Sequence, residues 1–245
     1  MLAMTVLSVG LWSCSGQQEE AEQLYAMGLE YYNKKDYENA YDKFEQAAAL
    51  DFAKAYYSLG RMYQKAEGVE KNDSIAEYYY ETAAIKGDTE SYNDIGVMYA
   101  RKKDFVSARK WYEKSVAYGH AVSQKNLGII YQFGQGVEQN YDKAVYWYQL
   151  AVDQGYAMAQ SNLAEMYLNG EGVAQNEAEA YRLFKLSAEQ NFWMGEYGYA
   201  RMLENGYGTD QDIMEAIKWY EMAAAHGHEE AKEALVRLKG ADAIH

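Results

Sequence analysis

Proline, cysteine and basic residues are scarce in this chain, and each scarcity excludes a structural feature or a class of partner. Proline is absent from all 245 residues, so no helix is interrupted by a residue without a backbone N–H. The single cysteine, Cys14, excludes an intrachain disulfide, and stability must therefore come from packing. Basic residues number 23 against 37 acidic ones, for a formal net charge of −14. Because binding to a phosphate backbone needs clustered Lys and Arg, nucleic acid is not an expected partner.

Small residues, by contrast, recur at regular intervals. The first ladder comprises Gly28, Gly60, Gly96, Gly128, Ala164 and Ala200. The second comprises Ala40, Ala76, Ala108, Ala144, Ala180 and Ala216. From a member of the second ladder to the next member of the first is always 20 residues, whereas the reverse step is 12 or 16. Helices of fixed length joined by loops of two lengths give this arithmetic, which predicts an array of helical hairpins.

Each ladder predicts one packed helix face, because residues at i, i+3, i+4 and i+7 lie on the same side of a helix. We expect the small residue of the first ladder to let the partner backbone approach. The second helices carry bulky pairs that we assign to the core: Tyr41 and Phe44, Tyr79 and Tyr80, Trp111 and Tyr112, Trp147 and Tyr148, Leu183 and Phe184, Trp219 and Tyr220. An aromatic side chain buries about 150–250 Å², so one hairpin cannot hide such a face and neighbours must stack.

The loops carry the residues that end and begin helices. Glycines at positions 68, 134, 136, 170, 172, 206 and 208 predict helix ends within hairpins, since glycine adopts φ > 0 without strain. Gly87, Gly119, Gly155 and Gly227, with Asn191, do the same between hairpins. The segments that begin at Asn72, Asn140 and Asp210 offer side-chain oxygens to cap the following helix.

These motifs are similar to those of a known family. The clearest copy, residues 121–156, contains Leu127-Gly128, Tyr131, Gly134-Gln135-Gly136-Val137, Lys143-Ala144, Trp147-Tyr148 and Gly155. It resembles the Sel-1-like repeat, whereas residues 21–52 and 89–120 lack the glycine loop and resemble the parent tetratricopeptide repeat. The resemblance implies an all-α fold, an α/α solenoid superhelix of about six antiparallel helix hairpins plus a C-terminal capping helix. The implied units are about 21–52, 53–88, 89–120, 121–156, 157–192 and 193–228, within a repeat domain of 21–240 whose cap is 229–240.

The N-terminus carries a second signal. Its first twelve residues are almost wholly apolar, a length typical of a signal-peptide core and too short to span a bilayer. Leu11-Trp12-Ser13-Cys14 resembles a bacterial lipobox, which implies a lipoprotein-type signal peptide at 1–13, lipid attachment at Cys14 and a tether at 14–20. Such a protein would be lipid-anchored in the bacterial cell envelope, at the outer membrane, and would face the periplasm or the surface. The alternatives are a signal peptide without lipidation or a buried cysteine.

Asp73-Ser74-Ile75 resembles a bacterial O-glycosylation site. The alternative is a helix N-cap at Ser74 that forms a capping box with Glu77.

Candidate catalytic and metal-binding groups are sparse. His226 and His228 could share a metal, but the sequence places no third ligand beside them, and His120 and His245 lie elsewhere. Neither a Gly-x-Ser-x-Gly elbow nor a Walker-type loop occurs. We therefore expect no enzymatic activity, no cofactor, no metal and no small-molecule substrate.

The resemblance places binding on the first helix of each hairpin, at positions three before, one after and four after the first ladder. These positions hold Tyr25, Leu29, Tyr32, Tyr57, Arg61, Gln64, Asn93, Val97, Lys125, Ile129, Gln132, Ser161, Glu165, Leu168, Tyr197, Arg201 and Glu204. Tyrosine and arginine anchor protein interfaces well. The expected function is a protein–protein interaction scaffold or adaptor, membrane-anchored through Cys14, that binds a peptide or protein on its concave surface. The alternatives are a regulatory inhibitor or sensor of an envelope enzyme, and a cell-wall or β-lactam hydrolase.

Overall fold

A computed structural model describes the backbone from Ala3 to Asp242 and the side chains from Gly16 to Gly240. The side chains of the predicted signal peptide and of Cys14, as well as His245, lie outside the described residues. Among the described helices, none is both long enough and apolar enough to cross a bilayer.

The described part of the chain contains thirteen helices and no strand, which confirms the all-α prediction. They are α1 (Ala3–Asn33), α2 (Tyr37–Ala49), α3 (Ala53–Lys65), α4 (Asp73–Ile85), α5 (Ser91–Arg101), α6 (Phe105–Val116), α7 (Ala121–Phe133), α8 (Tyr141–Asp153), α9 (Ala157–Asn169), α10 (Glu177–Ala188), α11 (Trp193–Asn205), α12 (Ile213–Ala225) and α13 (Glu229–Asp242). The chain divides into an N-terminal unit, Met1–Tyr118, and a C-terminal unit, Gly119–His245. In both, each odd-numbered helix up to α11 pairs with the helix that follows it, and α13 packs on α12.

Both ladders are buried, and the glycines of the first ladder accommodate aromatic rings. A Cβ added to Gly28 would lie 2.6 Å from the ring of Phe44, and one on Gly96 would lie 2.5 Å from Tyr112. Gly60 and Gly128 meet Tyr80 and Tyr148 in the same way. The partner backbone approaches as expected at Gly60, where the added Cβ would lie 3.2 Å from the Ala76 carbonyl oxygen. At all four glycines, however, the nearest atoms belong to an aromatic side chain of the second helix.

The bulky pairs of the second helices divide into two roles. The second member of each pair is at most 3% exposed; these residues are Phe44, Tyr80, Tyr112, Tyr148, Phe184 and Tyr220. The first member is half-buried in all pairs except Leu183, which is fully buried. The rings that face the ladder glycines thus form the centre of each hairpin, and their neighbours pack at its margin.

Met27 departs from the predicted pattern. The apolar residues that precede the other ladder positions are at most 6% exposed, whereas Met27 is 43% exposed. Helix α1 packs chiefly against α2, and this packing leaves Met27 largely in solvent. The difference shows that burial at this position depends on stacked neighbours.

The helix ends follow the predicted turn chemistry with two exceptions. Gly134, Gly170 and Gly206 adopt the left-handed conformation at the ends of α7, α9 and α11. At the end of α3 the same conformation falls on Ala66, with φ 59°, two residues before Gly68. The inter-hairpin glycines and Asn191 all have positive φ, as predicted.

The second exception concerns the start of α4. The cap is Asn72, whose Oδ1 accepts the backbone N–H groups of Ser74 and Ile75 at 3.1 and 3.0 Å. Glu77 instead pairs with Lys102 at 2.6 Å. The capping box of Ser74 and Glu77 was therefore wrong, because Asn72 already satisfies the donors that it would have used.

Candidate functional site

The residues predicted to bind a partner lie on the odd-numbered helices α1 to α11, and we call this set of positions the first-helix face. Each unit carries its own portion of it. Helices α1, α3 and α5 supply it in the N-terminal unit, and α7, α9 and α11 in the C-terminal unit.

In the N-terminal unit the structure brings five predicted residues together around one cleft. The cleft measures about 60 Å³ and is lined by Tyr25, Leu29, Tyr32, Phe44, Tyr57, Ser58 and Arg61. Phe44 and Ser58 were not predicted here. Phe44 was assigned to the core, and Ser58 lies two positions before the ladder, outside the pattern that the resemblance supplies. A cleft of this size holds about one aliphatic side chain and is well below the roughly 300–1,000 Å³ of small-molecule sites.

Two tyrosines of this cleft interact with carboxylates. Tyr32 Oη donates to Glu67 Oε2 at 2.5 Å, and burial together with this bond raises the pKa of Tyr32 to about 12. Burial, followed by the charge of Asp94 and a hydrogen bond to it, raises the pKa of Tyr57. Both phenols therefore stay neutral, with rings held rigidly at the edge of the cleft.

The glutamines of the first-helix face contribute to the fold as well. Gln64 accepts a hydrogen bond from the hydroxyl of Tyr80 at 3.2 Å, and Gln132 accepts one from Tyr148 at 2.7 Å. Gln132 also donates to Glu171 at 3.3 Å. These glutamines satisfy buried tyrosines, so their substitution would disturb the core as well as the surface. Asn93 and Val97 on α5 are half-buried.

In the C-terminal unit the predicted residues form a paired network. Tyr197, Arg201 and Glu204 line a wider cleft of about 580 Å³, with α13 on its other side. Arg201 Nη1 lies 3.0 Å from Glu165 Oε1. Glu204 accepts hydrogen bonds from Tyr220, at 2.6 Å, and from Arg237. The bond from Arg237 lowers the pKa of the Glu204 carboxyl, so Arg201, Glu204 and Arg237 in this cleft already have partners of opposite charge.

Several predicted residues do not reach an open surface. Ser161 is 1% exposed, and its hydroxyl lies 2.7 Å from that of Ser187. Lys125 is 9% exposed, its Nζ donates to Asn126, and burial lowers its pKa. Ile129 and Leu168 pack against the core of the C-terminal unit. Assigning Ser161 to an accessible surface was therefore wrong, because the small side chain permits helix contact at that point.

The histidines have structural contacts. His226 Nδ1 lies 3.0 Å from Oε2 of the fully buried Glu196. His228 Nδ1 accepts the Ala231 backbone N–H at 3.2 Å, and its ring stacks on Tyr197 at 4.2 Å. Among the described residues, no three His, Cys, Asp or Glu side chains cluster as metal ligands would.

Known proteins share both the repeat and the architecture. The Sel1 repeat family matches residues 53–88, 90–120, 121–156, 157–192 and 193–228. The protective antigen c5321 of uropathogenic Escherichia coli, which displays an SLR fold, superimposes with a TM-score of 0.80 at 29% identity over 93% of this chain and 51% of that one. A Sel1 repeat protein from Oxalobacter formigenes gives a TM-score of 0.80 and 29% identity over 86% of both chains.

The chitin synthase regulator SKT5 of Saccharomyces cerevisiae is 28% identical over 116 residues, 44% of this chain and 17% of the yeast protein. This chain thus corresponds to a small part of the yeast relative and to about half of the E. coli antigen. Five matched repeats in register with the described hairpins show that the chain belongs to the Sel1 repeat family, within the tetratricopeptide-like superfamily.

Proposed function

We propose that this protein is a non-enzymatic adaptor that binds a protein or peptide segment on its first-helix face. Repeats of this superfamily mediate protein–protein interaction. The observation that carries the proposal is the N-terminal cleft, where five residues from α1 and α3 converge around a space for one side chain.

Two further features support a protein partner. Tyrosine and arginine are enriched among the residues that anchor protein interfaces. Here Tyr32, Tyr57 and Arg61 are half-buried, and a hydrogen bond to Glu67 holds Tyr32 in place. Because the tyrosine side chains are already ordered, binding a partner would cost less side-chain entropy.

Co-purification tests this proposal. Full-length protein would be purified from detergent-solubilised membranes as wild type, as a double variant with Leu29→Asp and Arg61→Glu, and as a control with Lys110→Glu on α6. We expect stoichiometric partner proteins with the wild type and the control, and their loss in the double variant with an unchanged melting temperature. Equal recovery in all three would contradict the proposal.

Arg201 is a poor choice for that experiment. Its guanidinium pairs with Glu165, so charge reversal there would place two carboxylates side by side and confound binding with stability.

We further propose that the protein is anchored in the cell envelope through acylation of Cys14. The apolar run up to Trp12 and the lipobox-like Leu11-Trp12-Ser13-Cys14 support this, and the several chains of a bacterial lipoprotein would make attachment effectively permanent. An alkyne fatty acid fed to cells should label the wild type and Ser15→Ala but not Cys14→Ala. Label retained by Cys14→Ala would exclude this anchor.

A further inference from the structure

The N-terminal portion of the first-helix face carries Arg61, and Lys65 and Arg101 lie one position beyond that face on α3 and α5. Arg61, Lys65 and Arg101 make no hydrogen bond or ion pair with any described residue; Arg61 lies over the Tyr57 ring, with its guanidinium carbon 5.8 Å from the ring centroid. Lys65 and Arg101 occupy the position four residues beyond that of Arg61, on α3 and α5 respectively, and are exposed. Arg61 is half-buried and its charge interacts with that of Asp94, yet it forms no ion pair, in a chain whose formal net charge is −14.

The repeats provide an internal comparison for Arg61. Arg201 occupies the same position on α11 and lies over Tyr197 at 5.7 Å, in the same geometry. It differs in one respect, an ion pair of 3.0 Å with Glu165 on the preceding first helix. The residue that corresponds to Glu165 in the N-terminal unit is Leu29. At this position the C-terminal unit has the carboxylate of Glu165, whereas the N-terminal unit has the apolar side chain of Leu29 beside an open cleft.

The acidic residues nearest to this cleft are already engaged. Glu67 accepts the Tyr32 hydroxyl at 2.5 Å, and the charge of Asp94 acts on both Tyr57 and Arg61. Glu22, on the same side of α1, is exposed and lies 2.8 Å from Gln18. The charge of Asp94 interacts with that of Arg61, but Arg61 forms no ion pair with Asp94 or Glu67, so its guanidinium can still pair with a carboxylate from outside.

We infer that the N-terminal portion of the first-helix face binds an acidic segment of a partner protein, with one aliphatic side chain in the cleft and a neighbouring Asp or Glu on Arg61. Lys65 and Arg101 would attract further acidic residues of the same segment. This inference rests on the proposed adaptor function and specifies the chemistry of its partner. We infer the aliphatic side chain from the size of the cleft, about 60 Å³. We infer the carboxylate from the comparison with Arg201, which pairs with Glu165.

A random-peptide display library tests the inference without a known partner. Random dodecapeptides would be selected on immobilised full-length protein, and recovered sequences would be synthesised with both ends blocked, so that a terminal carboxylate cannot contribute. Their affinities would be measured for the wild type, for Arg61→Glu and for Lys110→Glu, an exposed cation without a described partner on the second helix α6. A 20-nucleotide single-stranded DNA would serve as a competitor.

We expect recovered sequences to combine Asp or Glu with Leu, Ile, Val or Met. Their affinity should fall at least tenfold in Arg61→Glu and less than twofold in Lys110→Glu. Recovery of basic or uncharged sequences, or no recovery above the empty support, would overturn the inference. An equal loss in both variants, or full displacement by the DNA, would also overturn it, because either result indicates non-specific attraction of anions.

The two proposals can fail separately. If native partners co-purify through Leu29 and Arg61 while the library yields no acidic segment, the adaptor function stands and only the partner chemistry is wrong. If nothing co-purifies and no peptide is recovered, both are wrong.

Discussion

At the residue scale, the ladder glycines set how closely an aromatic ring can approach the first helix. Gly96 and Tyr112 illustrate this, since a Cβ at Gly96 would lie 2.5 Å from the ring. The sequence showed that a small residue was required but not which atoms would face it, because periodicity identifies a helix face and not the side chain opposite.

Gly96→Ala should destabilise the protein. Overpacking costs about 1–3 kcal/mol, which outweighs the gain of roughly 1 kcal/mol in helix propensity. Chemical denaturation would measure the change. Gly16→Ala is the control, because Gly16 lies in α1 with no atom within 4 Å of its added Cβ; that variant should be neutral or slightly stabilised. A stabilised Gly96→Ala would show that the ring can move aside.

Ala66→Gly should stabilise the protein by about 0.5–1 kcal/mol. Ala66 has a φ of 59° at the end of α3, and a left-handed conformation is strained for residues with a Cβ. Gly134 occupies the equivalent position at the end of α7 with a φ of 64°, so Gly134→Ala should have the opposite effect. Denaturant midpoints of both variants test this, and shifts of the same sign would contradict it.

At the scale of helices, capping residues decide where each second helix begins. Asn140 Oδ1 accepts the Lys143 N–H at 2.8 Å. Asn140→Ala should cost about 1 kcal/mol, whereas Asn140→Asp keeps an accepting oxygen and should retain most of the stability. Equal losses in the two variants would show that the side-chain oxygen is not what stabilises this helix end.

The hairpin pattern was predictable because helix period, glycine loops and caps all indicate the same elements. Ala66 was not predicted because tertiary packing can impose a left-handed conformation on a residue other than glycine.

In the candidate site, the positions on the first helices were predictable, but the side chains that they pair with were not. Arg201 pairs with Glu165, whereas Arg61 has no such ion pair. This difference depends on which residues of consecutive first helices are in contact, and the spacing of residues in the sequence does not determine those contacts. Ser161 was misplaced for the same reason.

At the scale of the whole molecule, the chain contains 26 tyrosines, and the buried ones make the stability of the fold depend on pH in the alkaline range. Burial raises the pKa values of Tyr80, Tyr148 and Tyr220, and burial with Glu67 raises that of Tyr32 to about 12. A raised folded-state pKa stabilises the fold below the unfolded value of roughly 10, and this contribution is lost as pH rises through the folded value.

We therefore expect loss of helical circular dichroism to coincide with late tyrosinate absorbance above about pH 10. Complete ionisation of all tyrosines near pH 10 with the helices intact would contradict the burial described here.

The most direct test of the central claim is site-specific photo-crosslinking in cells. A photoreactive amino acid would replace Leu29 or Tyr57 in the N-terminal cleft and, as a control, Tyr78 on the second helix α4. We predict that Leu29 and Tyr57 crosslink to the same partner protein and that Tyr78 does not. Crosslinks to that partner from Tyr78 alone, or none from either cleft position, would contradict the assignment of binding to the first-helix face.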